Sequence, residues 1–256
     1  EMITVRKSPT DTATETVELE VTVTRHGPII LEQGDKRYAL QWTMLDPNIF
    51  SFAAFYAINR ARNWNDFQNA LKAYPGPTQN FVYADVAGHI GYYGAGNIPI
   101  RKSGDGSVPY DGTTDEGEWT GYIPFDKLPH VYDPPSGVIV TANQRIVGRD
   151  YPYFLTHEWS APYRARRIYD LLTAKQKLTA DDYRAIQGDV YSLPGVVFAR
   201  ELIKTLLPLA KVANDDKWRG DLFLIKDWDG RVTSDSRAAV LVTEMRDVFG
   251  RRLLSA

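Results

Sequence analysis

Cysteine is absent from the 256 residues. That absence excludes disulfides, a thiolate nucleophile and zinc held by thiolates. It leaves the compartment open, because an exported protein can fold without disulfides. Long apolar runs are absent as well: nothing approaches the ~20 residues that a membrane helix needs. Residues 1–5 lack the basic-then-apolar order of a secretory leader. Histidine is scarce, and His26, His89, His130 and His157 show no i, i+4 pairing of the kind that ligates a metal. The net charge of −2 gives no basic surplus to attract nucleic acid. What is present is ordinary for a soluble globular protein, with 43% hydrophobic and 24% charged residues, in a chain long enough for a large core.

The first part of the chain reads as strands. Val17 to Thr24 alternates apolar and polar with β-branched residues, which predicts a half-buried strand. His26-Gly27-Pro28 turns the chain, Ile29 to Leu31 resumes it, and Lys36 to Thr43 is a further strand. A helix follows, capped by Asn63 or Asn65, with Trp64, Phe67, Ala70 and Leu71 on one face. Gln79 to Asp85 and Ile90 to Tyr93 form a hairpin about Gly88. Gly94 to Gly137 is rich in Gly, Pro and Asp and reads as a long surface loop. Val138 to Thr141 is predicted as a short buried strand that delivers Asn143.

The rest reads as helices. One covers Pro162 to Leu172, and a second opens at Thr179 with a capping box closed by Asp182. A third runs from Val196 to Leu207, with Val197, Leu202, Ile203 and Leu206 inward and Pro208 as its stop. The last covers Ala238 to Phe249. Strands first and helices later predict an α+β fold, strand-rich over 1–142 and mostly helical over 143–256. The opening reads as an interrupted strand and Val248 to Arg252 as a helix cut short, so the expectation is a fragment of a longer protein.

Several segments resemble the penicillin acylases. Thr24-Arg25-His26-Gly27-Pro28 is similar to a strand-and-turn signature of that family, and Val82 to Tyr92 to its YYAD-x-x-G-x-IGY hairpin. Trp119 to Phe125 resembles its W-x-G-x-x-P-F segment. Thr141-Ala142-Asn143-Gln144 is similar to its x-A-N-N turn. Trp159 to Arg164 and Ile168 to Leu172 resemble the helix after it, and Asp227 to Gly230 a late W-D-G element. None is specific alone; together, in family order along nearly the whole chain, they identify it as an internal part of the large subunit of a penicillin-acylase-like N-terminal-nucleophile hydrolase.

The resemblance implies an αββα sandwich with an antiparallel sheet and flanking helices. It implies self-cleavage that exposes an N-terminal serine, which attacks an amide carbonyl with its own α-amine as general base. This chain opens with Glu1, so the nucleophile is expected elsewhere in the precursor and isolated activity is not expected. By motif, Asn143 supplies an oxyanion donor, and Arg164 orients it, with Arg166 and Arg167 as alternatives. The aromatic wall of the substrate pocket maps near Phe55, and another pocket position near Gln79, where a smaller apolar residue is usual. Family members often hold calcium with ligands mostly outside this segment. The matching position falls near Leu155, whose side chain offers no ligand, so no metal ligand or cofactor is expected here.

The expected substrate is a small N-acyl compound: a β-lactam side-chain amide, an acyl-homoserine lactone or a related amide. The expected partners are the other segments of the precursor, namely the small subunit and the N-terminal part of the large one. The family implies a periplasmic location. A non-catalytic scaffold or binding module and a structural half of a two-chain assembly are the rival readings. The acidic group Asp111, Asp115, Glu116 and Glu118 reads as a solvated loop, since its spacing fits no calcium loop. His26 is expected to make a structural hydrogen bond, and no histidine is expected to be catalytic.

Overall fold

The computed structural model describes residues 1–46, 51–210 and 216–255. The chain divides into two compact units, one of Glu1–Ile139 with Ile146–Glu158, the other of Val140–Arg145 with Trp159–Ala256. Helices are mixed with small sheets in which every strand pair is antiparallel, so the fold is α+β.

In the first unit, β1 (Met2–Arg6) pairs with β2 (Thr14–Glu18), and β3 (Val23–Thr24), β4 (Gly27–Gln33) and β5 (Lys36–Ala39) form a sheet in sequence order. The strand expected over Val17 to Thr24 is therefore split. Alternation states which side a residue takes but not which strand it pairs with. Here the start of the run pairs with β1 and its end with β4, and the chain changes partner in between. Val17, Leu19, Val21 and Val23 are 39–67% exposed rather than half-buried. The strand expected to reach Thr43 ends at Ala39, and a 3₁₀ turn covers Thr43–Leu45.

Helix α1 (Ser51–Ile58) was not predicted; its run of apolar residues carries no helical period. Helix α2 (Trp64–Leu71) follows it, and Asn63 accepts the Asp66 N–H at 2.9 Å to cap it. The hairpin forms as expected, with β6 (Gln79–Ala84) against β7 (Ile90–Ala95). Its seventh-strand glycine has a packing reason. A Cβ added at Gly91 would lie within 2.8 Å of three Trp64 ring atoms, so the indole lies directly on the strand. Phe67, Leu71, Tyr74, Tyr83 and Tyr93 complete a largely aromatic core with Ile123 and Leu128.

The stretch from Gly94 to Gly137 is not a plain loop. It contains β8 (Pro99–Arg101) paired with β9 (Trp119–Tyr122), and β10 (His130–Tyr132) paired with β7. Strands this short show no period in the sequence. Acidic residues between β8 and β9 are tied down: Lys102 holds Asp115 at 2.8 Å, and Glu118 takes Arg25 at 2.7 Å and His26 at 2.9 Å. Asp111 caps its own turn by accepting from Thr113.

The second unit is helical among its described residues apart from an isolated bridge between Tyr191 and Arg231. Its helices are α3 (Tyr163–Leu172), α4 (Ala180–Gln187), α5 (Leu193–Ala210), α6 (Asp216–Lys226) and α7 (Arg237–Leu254). The capping box of α4 is formed in full, with Thr179 accepting from Asp182 N and Asp182 accepting from Thr179 N. Pro208 does not stop α5, which continues to Ala210. A proline in the final turn removes a single hydrogen bond there. Ala199, Ile225 and Val242 form the core, packed by Phe198, Leu202, Ile203, Trp228, Leu241 and Met245. Leu202 and Ile203 pack on this core as expected, together with Phe198 and Ala199, and Val197 and Leu206 are partly buried.

Candidate active site

Val140 to Gln144 form a turn that the sequence predicts to follow a strand. Residues 138–141 are not a strand in the structure. Instead the Gln144 side chain folds back on its own backbone. Its Oε1 accepts from Ala142 N at 2.7 Å, and its Nε2 donates to Val140 O at 2.9 Å. These bonds take up backbone groups that a sheet ladder would otherwise have paired. Asn143 then sits at φ +63°, the left-handed region that asparagine tolerates better than most side chains.

Helix α3 brings the second half of the arrangement. Pro162 opens the helix, where a missing N–H costs little, and Arg164 lies in the first turn. One guanidinium nitrogen, Nη2, donates to Asn143 Oδ1 at 2.8 Å and to Ala142 O at 2.8 Å. Asn143 O accepts from Ser160 N at 2.9 Å. Arginine only donates, so the amide atom it faces must be the oxygen. The Asn143 NH₂ group is thereby turned away from Arg164, and it makes no hydrogen bond among the described residues. An exposed, oriented amide donor of this kind suits a developing negative charge.

The other arginines of α3 are engaged elsewhere. Arg166 pairs with Asp170 at 2.8 Å one turn along. Arg167 makes a two-pronged bond to Asp189 at 2.7 and 2.9 Å and lies over the Tyr191 ring at 4.5 Å. Of the three candidates, Arg164 is the one that touches Asn143. Gln144, quoted in the motif without a role, proves to be the residue that closes the turn. Its side-chain-to-backbone bonds have no sequence signal beyond the amide itself.

Phe55 lies on α1 in the first unit, 44% exposed, with its ring 5.6 Å from Tyr74 and 6.3 Å from Phe81. Gln79 begins β6 and is exposed. A cleft of about 480 Å³ in that unit is lined by Tyr92, Leu128, His130, Ile146, Tyr151 and Tyr153 among others. None of the candidate site residues lines it. The histidines are all structurally engaged: His26 with Glu118, His89 with Asp133 at 2.6 Å, His157 with Asp105 at 2.8 Å, and His130 with Leu128 O at 2.7 Å. Leu155 packs against the aromatic core, so its surroundings do not fit a calcium ion, which requires oxygen ligands. No group of three acidic, histidine or cysteine side chains is placed to hold a metal ion among the described residues.

The fold matches that of an N-terminal-nucleophile hydrolase. A penicillin G acylase from Alcaligenes faecalis superposes with a TM-score of 0.67 at 23% identity, over 92% of this chain and 42% of that one. The penicillin amidase family model matches residues 1–256, and the chain belongs to that family. Among curated relatives, the penicillin acylase 2 proenzyme of Pseudomonas sp. strain SE83 is 33% identical over 238 residues, 91% of this chain and 30% of that protein. The acyl-homoserine lactone acylase QuiP of Pseudomonas fluorescens strain Pf-5 is 34% identical over 158 residues, 59% of this chain and 19% of that protein. The chain thus spans less than a third of the length of these relatives.

Proposed function

We propose that this chain is part of an amide hydrolase that cleaves N-acyl compounds through an acyl-enzyme on an N-terminal serine. The serine hydroxyl attacks the amide carbonyl, and its α-amine takes the proton. The tetrahedral oxyanion collapses, the C–N bond breaks, and the amine leaves with that proton. Water then attacks the ester and releases the carboxylic acid. In this reading Asn143 Nδ2 donates to the oxyanion, Arg164 holds the asparagine in place, and Phe55 lines the acyl pocket. The serine belongs to another segment of a self-processed precursor, and the 256 residues alone are inactive.

The observation that carries this reading is the 2.8 Å bond from Arg164 to Asn143 Oδ1, which leaves the amide N–H groups free to donate. The chain covers 30% of a penicillin acylase proenzyme, which supports cover of exposed apolar residues such as Tyr56 and Val82, at 62% and 54%, by the remaining segments of the precursor. A periplasmic location and autoproteolytic maturation belong to the same proposal on family grounds. The test is expression of the full-length gene product against a panel of N-acyl substrates. Asn143→Ala is expected to lower kcat by roughly 10²- to 10³-fold, the usual loss for one oxyanion donor. Unchanged turnover in Asn143→Ala would remove the assigned role, and absence of turnover in the unaltered full-length product would favour a non-catalytic scaffold.

A second reading concerns the substrate. The likeness to an acyl-homoserine lactone acylase favours including acyl-homoserine lactones beside β-lactam side-chain amides in the panel. The ratio of kcat/KM between the two classes decides which acyl group the site prefers.

A further inference from the structure

We infer that Gln144 is a positioning residue that acts through Asn143. This rests on the reading of Asn143 as an oxyanion donor. Both ends of the Gln144 amide are used, Oε1 by Ala142 N at 2.7 Å and Nε2 by Val140 O at 2.9 Å. The Ala142 carbonyl is held in turn by Arg164 at 2.8 Å. The residue before Asn143 is therefore gripped by side chains at both its N–H and its C=O, and Ala142 is itself buried. The peptide that leads into Asn143 has little freedom to rotate.

This grip matters because Asn143 sits at φ +63°. Asparagine visits that region without being confined to it, and extended or right-handed backbone is its ordinary alternative. Either alternative would swing the side chain away from Arg164 and re-aim the amide. Arg164 fixes the end of the asparagine side chain, and Gln144 fixes the backbone from which it springs. The Gln144 side chain spans from residue 144 back to the N–H of 142 and the carbonyl of 140.

The test uses the full-length, processed protein, with turnover normalised to active sites counted by a serine-acylating reagent. Gln144→Ala is expected to lower kcat roughly ten- to a hundredfold, as a displaced catalytic group does, with KM within about twofold. Gln144→Glu keeps the size and the acceptor but loses the donor to Val140. It is expected to fall between wild type and Gln144→Ala, and it carries the test should Gln144→Ala fail to fold. The double variant Asn143→Ala/Gln144→Ala is expected to be no slower than Asn143→Ala, because a residue that works through Asn143 has nothing left to position. A general structural role would instead add its own loss to the double variant.

Wild-type kcat in both Gln144 variants, or full additivity in the double, overturns the inference while leaving the Asn143 reading intact if Asn143→Ala itself shows the expected loss. Unchanged turnover in Asn143→Ala overturns both together.

Discussion

Arg164 Nη2 stands 2.8 Å from Asn143 Oδ1 and 2.8 Å from Ala142 O, so a single nitrogen holds both a side chain and the backbone beside it. Lysine would place one point donor where arginine presents a planar fork. In the full-length protein Arg164→Lys is therefore expected to retain more kcat than Arg164→Ala, and both to fall below wild type. Arg166→Ala is the control. Its ion pair with Asp170 is exposed on the arginine side, at 69%, and worth little, so turnover is expected to stay within about twofold of wild type. Steady-state kinetics on the three variants checks the ordering. A loss in Arg166→Ala matching that in Arg164→Ala would refute the assignment of the orienting role to Arg164.

Arg167 has a structural task. Its fork closes on Asp189 at 2.7 and 2.9 Å, and the carboxylate side chain is 13% exposed. Its guanidinium carbon also lies 4.5 Å from the centre of the Tyr191 ring, a cation–π contact. Hydrogen bonds to charged groups contribute about 1.5–3 kcal/mol, so Arg167→Ala is expected to destabilise by about that amount. Arg167→Lys should recover part of it and lose the second prong. Denaturant titration measures this, and a midpoint unchanged in Arg167→Ala would sink the idea.

The contrast among these arginines shows where sequence reasoning stops. The motif placed an arginine in the first turn of the helix after Asn143, but residues 164, 166 and 167 all lie within that turn of each other. Only the direction in which each points from the helix axis decides which meets the asparagine. Elements with a local signal were legible: the Asn63 cap, the Thr179–Asp182 box and the hairpin about Gly88. Elements set by distant pairing were not. The split at Leu19–Thr22 depends on which strand each half finds, and β8, β9 and β10 are too short to show a period. Gln144 closes the turn by bonding to its own backbone neighbours, and composition cannot reveal that.

The bond between His89 and Asp133 gives the hairpin a pH dependence. His89 Nδ1 lies 2.6 Å from Asp133 Oδ2, and Asp133 Oδ1 accepts from Ile90 N at 3.0 Å. Asp133 raises the His89 pKa above 6.5, first by hydrogen bonding and then by its charge, with Asp85 adding to the effect. The Ile90 N–H, followed by His89, lowers the Asp133 pKa below 3.8. A raised histidine pKa stabilises the fold fully below the unfolded value and loses that contribution as pH rises through the folded value. A lowered carboxylate pKa stabilises above the unfolded value and fails as pH falls through the folded one. The tie is thus strongest between the two ordinary values, 3.8 and 6.5. Titration of the His89 ring by NMR is expected to give a midpoint above 6.5 that drops in Asp133→Asn. An equal midpoint in both proteins would show that the contact does not persist in solution.

Gly91 offers the sharpest test of the aromatic core. On β7 it stands opposite Tyr83 on one side and Tyr132 on the other. The rings of both tyrosines contact Trp64, at 5.4 and 5.1 Å between centroids. The indole therefore lies in a trough whose floor is the glycine backbone and whose walls are the two tyrosines. An alanine methyl at position 91 would meet the ring at short range, and Phe67 at 5.5 Å and Tyr93 at 6.2 Å leave the indole little room to withdraw. Overpacking of this kind costs typically about 1–3 kcal/mol, and Gly91→Ala is expected to destabilise within that range. Trp64→Phe shortens the ring at the point of contact, so the double variant Gly91→Ala/Trp64→Phe should be less destabilised than the sum of its single changes. Strict additivity in a thermal or denaturant double-mutant cycle would mean that the cost of a side chain at Gly91 comes from the strand backbone and not from Trp64.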